Sequence, residues 1–186
     1  MTEFGPESLA ETGPPRAGQE LPLAQLAAWM GAPVPAKQFL GGHSNLTYLL
    51  EVGGQEIVLR RAPPGPLPPK AHDMVREFRV LEALHPHFPA APRPLRLCED
   101  PAVLGAPFYL MERRYGVIVR RARALAAASA TGASRAFIDC LAELHAIFLP
   151  GLGKPDGFLE RQLAGWSERW RLAATPDQPA LERVIG

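Results

Sequence analysis

The chain has 186 residues, enough for one domain or slightly more. Hydrophobic residues make up 47% of it and charged residues 21%, so it can bury a core, which excludes a disordered polymer. A formal net charge of +1 gives no reason to expect nucleic acid as a partner. Cys98 and Cys140 lie far apart, which predicts neither a disulfide framework nor a zinc site. Because the chain has neither a signal-peptide pattern nor a bilayer-spanning run, we expect a soluble, cytoplasmic protein without membrane contact.

The first third of the chain predicts a helix followed by three strands. Residues 1–20 are acidic and broken by proline, which indicates a mobile tail. Helical spacing runs from Leu21 to Gly31. The strands are "AKQFL", "NLTYLLEV" and "QEIVLRR", and the "VGGQ" between the last two predicts a tight hairpin turn. Alternation along the second strand places four apolar side chains on one face: Leu46, Tyr48, Leu50 and Val52.

The rest of the chain predicts one helix, two strands and two further helices. The first helix covers Lys70–His85, the strands are "RPLRLCED" and "PFYLMER", and the last helices cover Ala133–Leu149 and Gly157–Ala174. Strands joined by short turns pair antiparallel, and a following run of helices favours the α+β class. This order is that of a protein-kinase-like N-lobe, an antiparallel sheet plus one helix, followed by the first helices of a C-lobe. We therefore expect a tail over 1–20, an N-lobe over 21–112, and a hinge with the start of an incomplete C-lobe over 113–186.

A nucleoside triphosphate bound to such a sheet needs a close backbone loop, a fixed cation and a carboxylate that holds the cation. The candidate loop is rich in glycine, whose missing Cβ lets backbone N–H groups approach phosphates. The candidate cation is Arg60, and the candidate carboxylate is Glu77 in the following helix. The loop consists of Gly41, Gly42, His43, Ser44 and Asn45.

The adenine side of the predicted site rests on strand parity and on a hinge. Val58 lies two residues before Arg60 and so on the same face, where it could pack against adenine while Arg60 points to the phosphates. The hinge candidates are Met111, Glu112 and Arg113, whose backbone groups could bond the adenine edge. Arg61 then points to the opposite face, so at most one of the two arginines is a phosphate ligand.

These motifs carry a family resemblance. The segment "FLGGHSNLTYLLEVGGQEIVLRRAPPGPLPPKAHDMVREFRVLEAL", with "APRPLRLCEDPAVLGAPFYLMER" after it, resembles the aminoglycoside phosphotransferase and choline kinase family. It is most similar to the branch related to the kinase-like domains of certain acyl-CoA dehydrogenases, and the similarity covers about Leu21 to Trp170. The resemblance implies a kinase-like fold and ATP-dependent phosphate transfer to a small-molecule hydroxyl. It also places Ser44 and Asn45 in the nucleotide loop, Arg60 where the family has lysine, and Glu77 as its partner.

The family's catalytic machinery does not appear in this sequence. That machinery begins with His-Gly-Asp, has an asparagine five residues beyond the aspartate, and uses a later aspartate to bind Mg²⁺. The one asparagine, Asn45, lies in the glycine loop, and none of the five aspartates follows a His-Gly pair. We assign no catalytic or metal-binding residue, and expect a chain that stops before the catalytic loop, lacks the Mg²⁺ ligands and has no appreciable turnover. The alternative is a non-catalytic nucleotide-binding or protein-interaction module derived from a kinase.

Other interpretations of these residues stay open. The glycine loop could be an ordinary turn, and Glu77 could pair with Arg76 or Arg79. The acceptor hydroxyl is not specified. Trp166 and Trp170 would normally be core residues but could be partly exposed, and self-association through the helices after Ala133 would then bury them.

Overall fold

The structure is a computed structural model that describes residues 11–41, 44–65, 72–116, 127–151 and 156–173. The chain divides into two compact units, Met1–Phe148 and Leu149–Gly186. The sheet and four helices belong to the first unit, and one helix belongs to the second. The predicted boundary between lobes near residue 112 stays a prediction.

Six antiparallel strands form one sheet in the first unit. They are β1 (Thr12–Gly13), β2 (Ala36–Phe39), β3 (Leu46–Val52), β4 (Gln55–Arg61), β5 (Pro94–Cys98) and β6 (Phe108–Glu112), in the order β1-β2-β3-β4-β6-β5. The β3–β4 hairpin closes through Gly53 and Gly54, with φ angles of 58° and 77°. A two-residue turn with both φ angles positive matches the twist of the strands and favours glycine, which confirms the predicted turn.

The helices of the described residues lie before, between and after the strands in sequence. They are α1 (Leu23–Met30), α2 (Met74–Leu84), α3 (Pro101–Leu104) and α4 (Ala127–His145) in the first unit, and α5 (Phe158–Ala173) in the second. Asp73 caps α2, because its carboxylate accepts a hydrogen bond from the Arg76 N–H at 2.9 Å. No helix in the described ranges is long and apolar enough to cross a bilayer. The predicted α+β class, with an antiparallel sheet and following helices, is confirmed.

The two faces of the sheet have different partners. One face carries the apolar core, in which Trp29 of α1 meets Phe108 edge-to-face at 5.0 Å between ring centroids. The four alternating residues predicted from β3 all lie on this face, three of them buried and Val52 partly so. The other face carries α2, with Phe78 packed edge-to-face on Tyr109 at 6.0 Å. Residues directly opposite in an antiparallel pair share a face, so Val58 and Met111, and Arg60 and Tyr109, all lie on the α2 side.

Residues 11–20 differ from the predicted mobile tail. Thr12 and Gly13 pair with β2, and the Tyr48 hydroxyl donates to the Gln19 carbonyl oxygen. The Gln38 side chain, only 1% exposed, bonds both the Arg16 N–H and the Gln19 side chain, at 2.7 and 2.6 Å. The edge of β2 offers unpaired backbone groups and a buried amide, and this segment satisfies them. Residues 1–10 lie outside the described residues.

Two helices differ from the sequence prediction, one in its bounds and one in its existence. The helix predicted over Ala133–Leu149 begins earlier, at Ala127, and ends at His145. The four-residue α3 was not predicted, although Asp100 caps it and Gly105 closes it with φ 79°. Single-turn helices carry too few residues for a periodic pattern, so their caps are the main sequence indication.

Candidate functional site

Arg60 and Glu77 form an ion pair on the α2 face of the sheet. The Arg60 Nε lies 2.8 Å from the Glu77 Oε2, with side chains that are 32% and 35% exposed. The pair forms because Arg60 points out of β4 on the side that α2 covers, and Glu77 lies in the first turn of that helix. The expected contact between these two residues is therefore present, whereas their role toward a nucleotide stays a prediction.

Glu77 accepts hydrogen bonds from two further side chains. The Asn45 Nδ2 donates to Oε1 at 2.9 Å, and the Tyr109 hydroxyl donates to Oε2 at 3.1 Å. The Nδ1 of His72 bonds the Oδ1 of Asn45. Asn45 is the last residue of the glycine loop, so this chain of bonds connects the end of the loop to the ion pair. A carboxylate that accepts three bonds is held in one orientation, and it holds the guanidinium of Arg60 in turn.

Tyr109 is a neutral donor in this network. Burial raises the pKa of its hydroxyl, and the negative charge of Glu77 raises it further, while Arg60 works in the opposite direction. The hydroxyl therefore stays protonated and continues to donate to Glu77 throughout the neutral and mildly alkaline range.

An open cleft of about 550 Å³ lies beside this network, within the first unit. Its volume is in the range of pockets that bind small molecules. Arg60, Glu77 and Met111 of the predicted site line it, together with Tyr109. The other lining residues are His72, Asp73, Arg76, Val80, Leu81 and Pro92.

The predicted adenine residue and the predicted loop residues differ in how they lie relative to the cleft. Val58 is 5% exposed, pairs with Met111 across the strands and is not among the lining residues, so Met111 is the side chain available to a ligand there. Of the glycine loop, Gly42 and His43 lie outside the described residues, and Ser44 is exposed.

The predicted hinge is engaged in contacts of its own. The Glu112 N–H donates to the Arg93 carbonyl oxygen at 2.8 Å, and the Glu112 carboxylate accepts from the Arg93 N–H at 3.1 Å. Arg113 pairs with Glu56 and, at 3.0 Å, with Glu11. Since the Glu112 N–H is already bonded, backbone groups from Arg113 onward are the better candidates for an adenine edge.

The sequence did not identify Tyr109, His72 or Arg76 as site residues. Tyr109 is opposite Arg60, so the register of β6 against β4 would have predicted it, but that register is a long-range property. His72 adopts φ 55°, in the left-handed region, just before the cap of α2. Nothing in the local sequence predicts that conformation for a histidine.

Comparison with known proteins places the chain in a family. A family model described as the phosphotransferase enzyme family matches residues 35–186. The chain belongs to this family. Human acyl-CoA dehydrogenase family member 11 is 36% identical over 169 residues, which are 87% of this chain and 22% of that protein. Mouse acyl-CoA dehydrogenase family member 10 is 35% identical over 160 residues, 82% of this chain and 15% of that protein.

A solved structure confirms the kinase-like fold of this phosphotransferase family member. The crystal structure is from Ralstonia eutropha and is provisionally designated an aminoglycoside phosphotransferase. It is 27% identical, with a TM-score of 0.65, and the match covers 89% of this chain and 52% of that one. The acyl-CoA dehydrogenase family members carry a kinase-like domain, and the chain spans about a fifth of their length or less. The predicted kinase-like N-lobe, followed by helices, is confirmed.

The two carboxylates that line the described part of the cleft already accept hydrogen bonds. Both oxygens of Glu77 already accept hydrogen bonds, and one oxygen of Asp73 caps α2. Mg²⁺ is bound by free carboxylate and water oxygens. Among the described residues, no group of three or more His, Cys, Asp or Glu side chains could hold a metal ion.

Proposed function

We propose that the chain binds ATP in the cleft beside Arg60 and is the nucleotide-binding half of an ATP-dependent phosphotransferase that acts on a small-molecule hydroxyl. The observation that carries the proposal is the Arg60–Glu77 ion pair, held by Asn45 and Tyr109 at the wall of a nucleotide-sized cleft. Membership of the phosphotransferase family supports the reaction class.

Arg60 would supply the fixed positive charge of this site. A guanidinium that bonds Glu77 through Nε keeps its two terminal nitrogens for other acceptors, and a planar pair of donors suits phosphate oxygens. Glu77 would hold that head group in place before the nucleotide arrives, so little side-chain entropy is lost on binding. Backbone N–H groups of the glycine loop, which ends at Asn45, would complete the phosphate contacts.

Removal of Arg60 tests the proposal directly. We expect Arg60→Ala to weaken ATP binding by about 10- to 100-fold, since a hydrogen bond to a charged group contributes about 1.5–3 kcal/mol. Arg60→Lys keeps the charge and should lose less than about 10-fold. The measurement is titration calorimetry on the 186-residue chain.

The matched control is Arg79→Ala, which removes an exposed arginine of α2 that does not line the cleft. It should bind ATP as the unmodified chain does. Equal ATP affinity in the Arg60→Ala variant and the unmodified chain would refute the proposal.

The same proposal includes the absence of turnover by the chain alone. The 186 residues contain no His-Gly-Asp motif, and their one asparagine donates to Glu77. We therefore expect ATP to bind without measurable hydrolysis or transfer. Magnesium-dependent phosphate release above the background of the Arg60→Ala variant would contradict this expectation.

A further inference from the structure

Two basic side chains in the cleft have no role in the function proposed above. Arg76 and His72 line the cleft on the side formed by the start of α2. The side chain of Arg76 forms no ion pair or hydrogen bond within the described ranges, and its backbone N–H alone bonds Asp73. An arginine left without a carboxylate partner at the wall of a cleft is available to an anionic ligand.

The hydrogen-bond chain through Asn45 fixes which nitrogen of His72 is available. A carboxylate only accepts, so the amide nitrogen of Asn45 must face Glu77 and its Oδ1 must face His72. Nδ1 of His72 therefore carries the proton and donates to that oxygen. Nε2 is left as a bare acceptor in the neutral ring, and it becomes a second donor when the ring is protonated.

The charges around His72 make this side of the cleft positive when its ring is protonated. Arg60 balances Glu77 within their ion pair, and the Tyr109 hydroxyl is neutral. The carboxylate of Asp73 balances the charge of Arg76, so a protonated His72 would leave this side of the cleft with a net charge of about +1. When the ring of His72 takes a proton from solvent, it therefore adds a positive charge that no described carboxylate cancels.

We propose that Arg76 and His72 form a second phosphate-recognition edge, which binds the outer phosphates of a nucleoside triphosphate while Arg60 binds the inner ones. The inference rests on the proposed function and adds a selectivity to it. The chain favours triphosphates over monophosphates, and its affinity for triphosphates rises as His72 becomes protonated.

The experiment compares three probes on matched variants. Binding of ATP, AMP and inorganic tripolyphosphate is measured by calorimetry for the unmodified chain, Arg76→Ala and Arg79→Ala. Both substitutions remove one exposed charge from α2, but Arg76 alone lines the cleft. We expect Arg76→Ala to weaken ATP and tripolyphosphate about 5- to 10-fold and to change AMP less than about 2-fold, with no effect of Arg79→Ala.

His72→Asn isolates the Nε2 atom of the ring. The asparagine amide nitrogen can replace Nδ1 as donor to Asn45, and asparagine tolerates the left-handed φ of this position, so the fold is retained. We expect the ratio of ATP dissociation constants, His72→Asn over unmodified chain, to be about 5 at pH 6 and to fall as the pH is raised, because only the protonated ring donates from Nε2. The titration of ATP itself cancels in this ratio.

The outcomes separate the two proposals. If Arg60→Ala weakens ATP while Arg76→Ala matches Arg79→Ala, or if the His72→Asn ratio does not change with pH, the second edge is refuted and the nucleotide function stands. If tripolyphosphate binds with the expected dependence on Arg76 and His72 but ATP does not bind, the nucleotide function is refuted and the anion-binding edge stands. If the unmodified chain binds none of the three probes, both proposals are wrong.

Discussion

Glu77 accepts hydrogen bonds from Arg60, Asn45 and Tyr109. Some of these partners can be predicted from local sequence patterns, and others cannot. Arg60 and Glu77 were predicted because strand parity and position in the following helix are local properties. Asn45 was predicted as a loop residue for nucleotide, and the structure shows that its amide bonds Glu77. Tyr109 needed the register of β6, which depends on contacts across 49 residues of sequence. Local pattern therefore predicts the ion pair, while the network that orients it is set by tertiary packing.

Tyr109 gives the site a dependence on alkaline pH. Because its pKa is higher in the folded state than the usual value of 10.0, its contribution to stability is fully present below pH 10 and is lost as the pH rises above that value. We expect Tyr109→Phe to lower the free energy of unfolding by about 1 kcal/mol at pH 8, the value of one hydrogen bond. The difference between the two proteins should shrink above pH 10, measured by urea denaturation.

The other tyrosines do not obscure this comparison. Burial also raises the pKa of Tyr48, but both proteins retain that residue, so its effect cancels in the difference. A difference in unfolding free energy that stays constant from pH 8 to pH 11 would contradict the assigned role of Tyr109.

At the scale of elements, the start of α2 combines a helix cap with two residues of the cleft. Asp73 accepts the Arg76 N–H, and His72 precedes it in the left-handed conformation. We expect Asp73→Ala to destabilise the protein by about 1 kcal/mol through loss of the cap, and Asp73→Ser, which retains a capping oxygen, to cost less than half of that. Urea denaturation of the two variants measures both values, and equal losses would show that capping is not the cause.

Elements with strong local patterns were predicted, and elements that depend on pairing were not. The β3–β4 hairpin follows from alternation and a Gly-Gly turn, and α2 follows from helical spacing. β1 is only two residues long and lies in a segment rich in glycine and proline. It is a strand because the edge of β2 is available to it, which no property of residues 12 and 13 reveals.

At the scale of the whole molecule, the segment before α1 belongs to the folded unit. The buried Gln38 amide bonds it at Arg16 and Gln19. We expect Gln38→Ala to cost about 1–3 kcal/mol, because it leaves buried polar partners unsatisfied. Faster hydrogen exchange at the Leu40 N–H, which donates to the Glu11 carbonyl at 3.2 Å, should accompany the loss.

Gln55→Ala is the control for this prediction, since Gln55 is an exposed strand residue at the hairpin. It should change neither stability nor exchange at Leu40. If Gln38→Ala destabilises the protein without faster hydrogen exchange at Leu40, the prediction is contradicted. The Gln38 amide would then stabilise the core without holding residues 11–20 against β2.

Helix α5 presents apolar side chains to solvent in the second unit. Trp166 is 62% exposed, as the sequence suggested, and Leu159 and Leu163 are more exposed still. The hypothesis that such residues support self-association stays a prediction, and sedimentation velocity at several concentrations tests it. A single monomeric species at all concentrations would contradict it.

The two adjacent arginines at the end of β4 point to opposite faces of the sheet, so the fold depends on which residue of this strand faces which side. Arg60 points to the cleft, and Arg61, only 8% exposed, points to the core side opposite Leu46 and Phe108. Inserting or deleting one residue between Gly54 and Arg60 would exchange the two sides. A deletion would bring Arg61 to the position of Arg60, whereas an insertion would bring Leu59 there. In both cases Val58 and Leu59 would exchange sides, and the core could not close. Homologues should therefore place single-residue insertions or deletions in the turn, where a loop of another length absorbs them, and not within Gln55–Arg61.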